Sequence, residues 1–244
     1  MSVRALFFDA GNTLVRIDYA AIAAALAALG VPRDAEALER AEWRARVRLD
    51  DELFTRRGVS TESRTTASRY LELVLEGVGV TDTPTVQAMC EWRARFSPPA
   101  GLFHLPDPAA RAALAAAREA RLVTGVISNS NGAIEPLLGS LGFLPYIDLV
   151  LDSGVVGVEK PDPRIFRLAL DRAGVAAHEA VYVGDLYSID VLGARAAGLS
   201  AILLDPGACW GRRDCATVPD VAAAVRMVLE AATPVPGAAR KESR

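Results

Sequence analysis

From Pro106 onward, short apolar runs alternate with helical stretches, and this alternation limits the fold more than any other feature of the chain. Helical patterns over Pro108 to Ala120, Ile134 to Leu141, Pro163 to Ala173, Ile189 to Ala197 and Val218 to Glu230 are separated by apolar runs at Leu122 to Ile127, Ile147 to Leu151, Ala180 to Val183 and Ala201 to Leu204. Short, predominantly apolar runs suit strands buried on both faces, and strand–helix alternation gives a parallel sheet with right-handed crossovers. A fifth such run, Val3 to Phe8, stands alone at the start. The expected class is therefore α/β, with a Rossmann-like parallel sheet.

Between Val3–Phe8 and that region the pattern is helical. Tyr19 to Leu29 is apolar all round and stops at Gly30-Val31-Pro32. Asp34 to about Arg56, Thr61 to Glu76 and Pro84 to Phe96 read as three further helices, and no strand is expected among them. Pro98-Pro99-Ala100-Gly101 reads as a linker. The expected organisation is a core of residues 1–14 and 101–232, an all-helical cap over 15–100, and a frayed tail over 233–244.

Composition narrows the partners. A formal charge of -3 gives no basic field for nucleic acid or anionic lipid. No apolar stretch is long enough to span a bilayer, and the start has no secretory pattern. Three cysteines, Cys90, Cys209 and Cys215, form no metal pattern or disulfide framework. A cytoplasmic protein is expected, as a monomer or dimer.

In an open parallel sheet, ligands bind beyond the C-terminal ends of the strands. Residues there are Asp9, Gly11, Asn12 and Thr13 after the first run, Ser128 and Asn129 after the second, Lys160 after the third, and Asp185 with Asp190 after the fourth. Lys160 is one of only two lysines, the other being Lys241. Facing carboxylates such as Asp9 and Asp185 repel unless a cation lies between them. An oxygen-only donor set suits Mg²⁺, which is often shared with a substrate phosphate. A carboxylate so placed can act as a nucleophile.

These segments, Phe8-Asp9-Ala10-Gly11-Asn12-Thr13-Leu14, Ile127-Ser128-Asn129, Lys160-Pro161 and Gly184-Asp185-Leu186-Tyr187-Ser188-Ile189-Asp190, resemble in order and spacing the four motifs of the haloacid dehalogenase superfamily. The resemblance covers residues 3 to 205 and matches its phosphatase-like branch, with the helical insertion at the usual cap position. It implies Asp9 as the nucleophile, with Asp9, Asp185 and the Gly11 carbonyl as Mg²⁺ ligands. It also implies Ser128 and Lys160 as catalytic phosphate binders, assisted by Gly11, Asn12, Thr13 and Asn129, with Asp190 supporting them from behind. The expected reaction is hydrolysis of a small phosphorylated metabolite.

Phosphatases of this superfamily carry an acid–base aspartate two residues after the nucleophile, where this chain has Gly11. Such help is worth about 10²–10⁴ in rate. Asp18 and Tyr19 are candidates to approach the site, and Gly11→Asp is expected to raise turnover of alkyl phosphates if the missing acid is limiting. Two alternatives follow. A 2-haloacid dehalogenase expels halide without protonation, but that branch has serine and asparagine where this chain has Asp185 and Tyr187. A weakly active or inactive member would only bind a phosphorylated ligand. The cap holds no lysine, which speaks against a Schiff-base phosphonate hydrolase. His104, His178, Trp43 and Trp92 are read as structural. The arginines from Arg44 to Arg48, with Arg56, Arg57, Arg64 and Arg69, are read as a mostly solvated face with one or two members turned to an anionic substrate.

Overall fold

The computed structural model describes residues 3–55, 58–96 and 101–232. The linker residues 98–100 and the tail over 233–244 lie outside the described residues. Among the described residues eight strands form: β1 (Ala5–Phe8), β2 (Val15–Ile17), β3 (Phe103–Pro106), β4 (Val123–Ser128), β5 (Leu149–Asp152), β6 (Ala180–Gly184), β7 (Ser200–Leu204) and β8 (Ala216–Val218). Ten α-helices accompany them: α1 (Tyr19–Ala28), α2 (Ala35–Leu49), α3 (Arg64–Gly77), α4 (Thr83–Arg95), α5 (Ala110–Glu119), α6 (Ile134–Ser140), α7 (Ser153–Val156), α8 (Pro163–Ala173), α9 (Leu192–Ala196) and α10 (Val221–Ala232).

Six strands make one parallel sheet in the order β5-β4-β1-β6-β7-β8. From β1 the chain builds outward through β4 and β5, then crosses back and builds the other way from β6, so the topological switch flanks β1. Phe8 is in register with Val126 of β4 and Val183 of β6. Asp9, Ser128 and Asp185 therefore emerge within one or two residues of the same sheet edge. Alternate side chains of β1 enter two cores. Leu6 and Phe8 pack with Leu114, Val126, Val183 and Val225 on one face, while Phe7 packs with Ile127, Ile165, Phe166 and Tyr182 on the other. A strand dry on both sides has little freedom to slip, because a shift of one residue would exchange its faces.

Helices α1 to α4 form the insertion, closed around Ile22, Leu26, Leu38, Leu49, Leu71, Leu75 and Met89. Their starts are fixed by side-chain caps: Asp34 accepts from Glu36 N at 2.7 Å, Ser63 from Thr66 N at 3.0 Å and Asp82 from Thr85 N at 3.0 Å. The structure departs from the expected pattern in three places. The chain enters and leaves the insertion on two short strands, β2 and β3, which pair antiparallel, so Val15–Ile17 is strand where none was expected. The second helix stops at Leu49 and continues as a π-helical turn over Asp50–Phe54. A sixth strand, β8, extends the far edge of the sheet.

Two polar clamps hold the insertion on the core. Asp50 accepts from Ser188 N at 3.0 Å and Ser188 Oγ at 2.7 Å. Glu159 Oε1 accepts from Ser60 Oγ, Thr61 N and Thr61 Oγ1 at 2.8–3.0 Å. Trp43 of α2 lies against Gly207, where a side chain would collide with its ring. Trp92 packs on Phe96, and His104 bridges Asp18 and the Gly101 carbonyl. Among the described residues, no helix is long and apolar enough to cross a membrane.

Candidate active site

After β1, the backbone turns tightly: Leu14 N and Val15 N both donate to the Ala10 carbonyl at 2.9 Å. Asn12 takes φ 49° in this turn, a left-handed conformation that asparagine tolerates better than most side-chain-bearing residues. Asp9 is thereby left at the mouth of the sheet, 8% exposed, at the floor of a cavity of about 490 Å³ between core and insertion.

Lys160 is 3% exposed, and its ammonium donates to Asp9 Oδ1 at 2.7 Å, Asp190 Oδ1 at 2.8 Å and the Tyr182 hydroxyl at 2.8 Å. Those three bonds use all the hydrogens an ammonium has. Burial alone would lower the Lys160 pKa, but the carboxylates of Asp190 and Asp9 more than reverse this and raise it. Lys160 is therefore a fixed positive charge. Asp190 spends its other oxygen on the backbone N–H groups of Asp185 and Leu186, at 3.1 and 2.9 Å. This fold-back needs Gly184, because a Cβ there would collide with the Asp190 carboxyl group.

Asp185, 4% exposed, faces Asp9 across the floor. Its Oδ2 accepts from Asn12 Nδ2 at 3.1 Å and lies 3.1 Å from Arg46 Nη1 of α2. Burial raises Asp9 to about 6, opposed by Lys160 and reinforced by Asp190. Burial likewise raises Asp185 to about 8, opposed by Arg46 and reinforced by Asp9, Asp190 and Glu42. Oxygens of Asp9, Asp185 and Asp190 lie within 4.8 Å of one another. Both Asp190 oxygens are committed elsewhere, which leaves Asp9, Asp185 and a nearby backbone carbonyl as the donors for a hard divalent cation. Two buried carboxyls that both hold protons too tightly fit such an ion, since its charge would relieve both.

Several residues singled out in the sequence take different places. Ser128 lines the cavity with its hydroxyl 3.3 Å from the Asn129 carbonyl. Asn129 was expected on phosphate, but its amide is spent on Thr61, Glu159 and the Lys160 backbone, at 2.8–3.2 Å. Its side chain holds the Lys160 segment and the insertion together. Thr13 is 1% exposed, lies off the cavity wall, and its hydroxyl has no partner. The Asn12 side chain turns to Asp185, Tyr70 and Glu42. Asp18 caps α1 and pairs with His104, while the Tyr19 hydroxyl donates to Glu42, so neither reaches the cavity.

The arginine face also divides. Arg48 and Arg69 pair with Glu52, Glu72 and Glu76 on the surface of the insertion. Arg46, grouped with the solvated face, is 4% exposed and paired with the fully buried Glu42. Its Nη1 makes no hydrogen bond. The signal was present in the sequence: Leu38, Ala41, Glu42, Ala45, Arg46 and Leu49 recur at helical spacing on one face. Arg64 lines the cavity, as does Arg93, which the sequence reading passed over. Arg56 and Arg57 lie outside the described residues.

At Gly11 the wall is already filled. A Cβ there would lie 3.3 and 3.4 Å from the Phe103 ring. Gly11→Asp is therefore expected to give no gain in alkyl phosphate turnover by itself, and to lose about 1–3 kcal/mol of stability to overpacking. Turnover and denaturant midpoints of the wild type and the variant check this.

The model of the haloacid dehalogenase-like hydrolases matches residues 3–198. The chain belongs to this hydrolase family. Haloacid dehalogenase-like hydrolase domain-containing protein 3 of Homo sapiens is 33% identical over 211 residues, covering 84% of this chain and 82% of the relative. Phosphoserine phosphatase of Thermus thermophilus is 46% identical over 102 residues, which is 41% of each chain. Among solved structures, the HAD hydrolase YfnB from Bacillus subtilis, bound to magnesium, has a TM-score of 0.62 at 15% identity, covering 94% of this chain and 100% of that one. The 2-haloacid dehalogenase from Pseudomonas syringae has a TM-score of 0.55 at 27% identity, covering 95% and 100%. The fold of this hydrolase is thus the Rossmann-like fold of its family.

Proposed function

We propose that this hydrolase is a Mg²⁺-dependent phosphatase that acts on a small phosphorylated metabolite through an Asp9 phosphoryl-enzyme, with no nucleic-acid or membrane partner. The observation that carries this reading is Asp185 facing Asp9. A second buried carboxylate works against a nucleophile and an anionic substrate unless a cation is shared between them. Phosphatase-named relatives support the same reading.

Asp9, Asp185 and the Gly11 carbonyl would hold the ion, which when bound neutralises charge on the phosphoryl oxygens. Lys160 keeps Asp9 oriented through Oδ1 and adds fixed positive charge beneath the phosphoryl group. The Ser128 hydroxyl donates to a phosphoryl oxygen from the β4 side, and the Arg46 guanidinium, whose Nη1 is ion-paired with Asp185, adds positive charge from the insertion. An Asp9 oxygen attacks phosphorus as the ester oxygen leaves, and water then cleaves the acyl phosphate. The insertion covers the site, keeping bulk water away and setting the shape available to the rest of the substrate.

The test is hydrolysis of p-nitrophenyl phosphate or acetyl phosphate with Mg²⁺, lost on adding EDTA. The second reading, halide displacement, draws on Gly11 and on the dehalogenase of like fold. It requires chloride release from 2-chloropropionate with EDTA present. A binding-only member would do neither, yet gain thermal stability from Mg²⁺ with phosphate.

Mg²⁺ should also raise the melting temperature in a pH-dependent way. Asp9 and Asp185 have folded pKa values above that of an unfolded aspartate, near 4. Their effect on the metal-free fold is favourable at low pH and is lost as pH rises through about 6 and about 8. Over the same window the ion displaces fewer protons and binds more tightly. A larger Mg²⁺-induced shift at pH 8 than at pH 5.5 is expected in thermal melts; equal shifts would contradict this assignment of ligands.

A further inference from the structure

Gly11 removes the usual proton donor, and a Cβ at that position would already press on the Phe103 ring, 3.3 Å away. Proton transfer to an alkoxide leaving group must then come from another wall of the cavity. The carboxyls lining it are Asp9, Glu62, Asp185 and Asp190. Asp9 and Asp190 are bound to Lys160, and Asp185 is held by Asn12 and Arg46. The Tyr70 hydroxyl is committed to Glu42. Burial raises the Cys90 thiol, and the two charges of Lys160 and Arg46 are locked in ion pairs. Glu62 remains, its side chain open to the cavity with no hydrogen bond or ion pair to any described residue.

The backbone that carries Glu62 is firmly placed. Thir preceding residue Thr61 is tied to Glu159 through both N and Oγ1, and to Asn129, which in turn binds the Lys160 backbone. The following residue Ser63 caps α3, and Thr66 Oγ1 returns to the Ser60 carbonyl at 2.7 Å. A free carboxyl is thus held between two anchored residues on the segment that ties the insertion to the phosphate-side loops of the core.

We propose that Glu62 is the acid–base residue that replaces the missing aspartate, an inference that rests on the phosphatase reading above. In the first step the Asp9–phosphorus bond forms, the phosphorus–ester oxygen bond breaks, and Glu62 gives its proton to the departing oxygen. In the second, water attacks phosphorus, the Asp9–phosphorus bond breaks, and the Glu62 carboxylate takes the water's proton, restoring the starting state. Electrostatics suit the role. Glu62 is exposed as a whole residue, yet desolvation of its carboxyl among the cavity walls, followed by the negative charges of Glu159, Asp152 and Asp9, raises it to about 7, against Arg93 from α4. Arg64 lines the same wall on α3. A carboxyl poised near neutrality can both give and take a proton.

The experiment compares wild type and Glu62→Gln, both with Mg²⁺, on phosphate esters whose leaving groups run from p-nitrophenol through phenol to a simple alcohol. The expected result is a loss in kcat/KM of about 10² or more on the alkyl ester and under about tenfold on the p-nitrophenyl ester, whose leaving group departs without a proton. The wild-type decline in alkyl ester turnover as pH rises through about 7 should be absent in the variant. Equal losses for all leaving groups, or none, would overturn the assignment while the phosphatase reading stands. A wild type inactive on every ester with Mg²⁺ overturns both. Thermal melts should show the variant folded as the wild type is, since the side chain has no partner to lose.

Discussion

Replacing Asp9 with Asn should abolish turnover, by roughly 10⁴-fold or more in kcat, the scale seen when a covalent nucleophile is removed from a preorganised site. The fold should survive. Asp9 sits in a place that disfavours its own charge, as its raised pKa shows, and Lys160 keeps Asp190 and Tyr182 as partners when it is gone. The variant should therefore melt within a few degrees of the wild type and still bind phosphate. Acid-quenched wild type caught in turnover should carry a phosphoryl group that the variant lacks. Turnover surviving in Asp9→Asn, or a phosphoryl group found on it, would refute the nucleophile assignment.

Lys160→Met should damage both activity and fold. The ammonium joins two buried carboxylates, and removing it leaves Asp9 and Asp190 facing each other without a positive charge between them. Breaking a buried ion pair from one side costs about 3–5 kcal/mol. The destabilisation should ease at acid pH, where Asp9 can take up a proton, and it is read directly from denaturant midpoints at pH 5 and pH 8. Activity should fall by roughly 10³-fold or more, as Asp9 loses its orientation and the phosphoryl group its fixed charge. A neutral effect on stability would mean that the triad does not carry the charges assigned to it.

Five of the six strands of the sheet were legible because they are short, predominantly apolar runs, the pattern of a sheet covered on both faces. The short strands were not. β2 is Val-Arg-Ile, β3 carries a histidine and ends in proline, and β8 has three residues, two of them exposed. Their pairing depends on where the insertion begins and ends, which is tertiary information. The floor of the site followed from the sequence because Asp9, Ser128 and Asp185 lie at strand ends that a parallel register must align. Its roof did not follow. Arg46 and Glu62 face the floor only because α2 and the segment before α3 dock through Asp50–Ser188 and Thr61–Glu159, contacts between residues about a hundred or more positions apart. Asn129 illustrates the limit: motif position marks it as important, while its hydrogen bonds show that it works as a brace.

The antiparallel pairing of β2 with β3 carries one further consequence. Because both strands of entry and exit are stitched into a single ribbon, the insertion is hung like a door on one hinge, with the Asp50–Ser188 and Glu159–Thr61 clamps as its latches. Arg46 and Glu62 ride on the same leaf, so any swing that admits a molecule withdraws the guanidinium and the free carboxyl together. Admission of the guest and assembly of the reactive ensemble would then be a single mechanical event, and a half-open door would have neither.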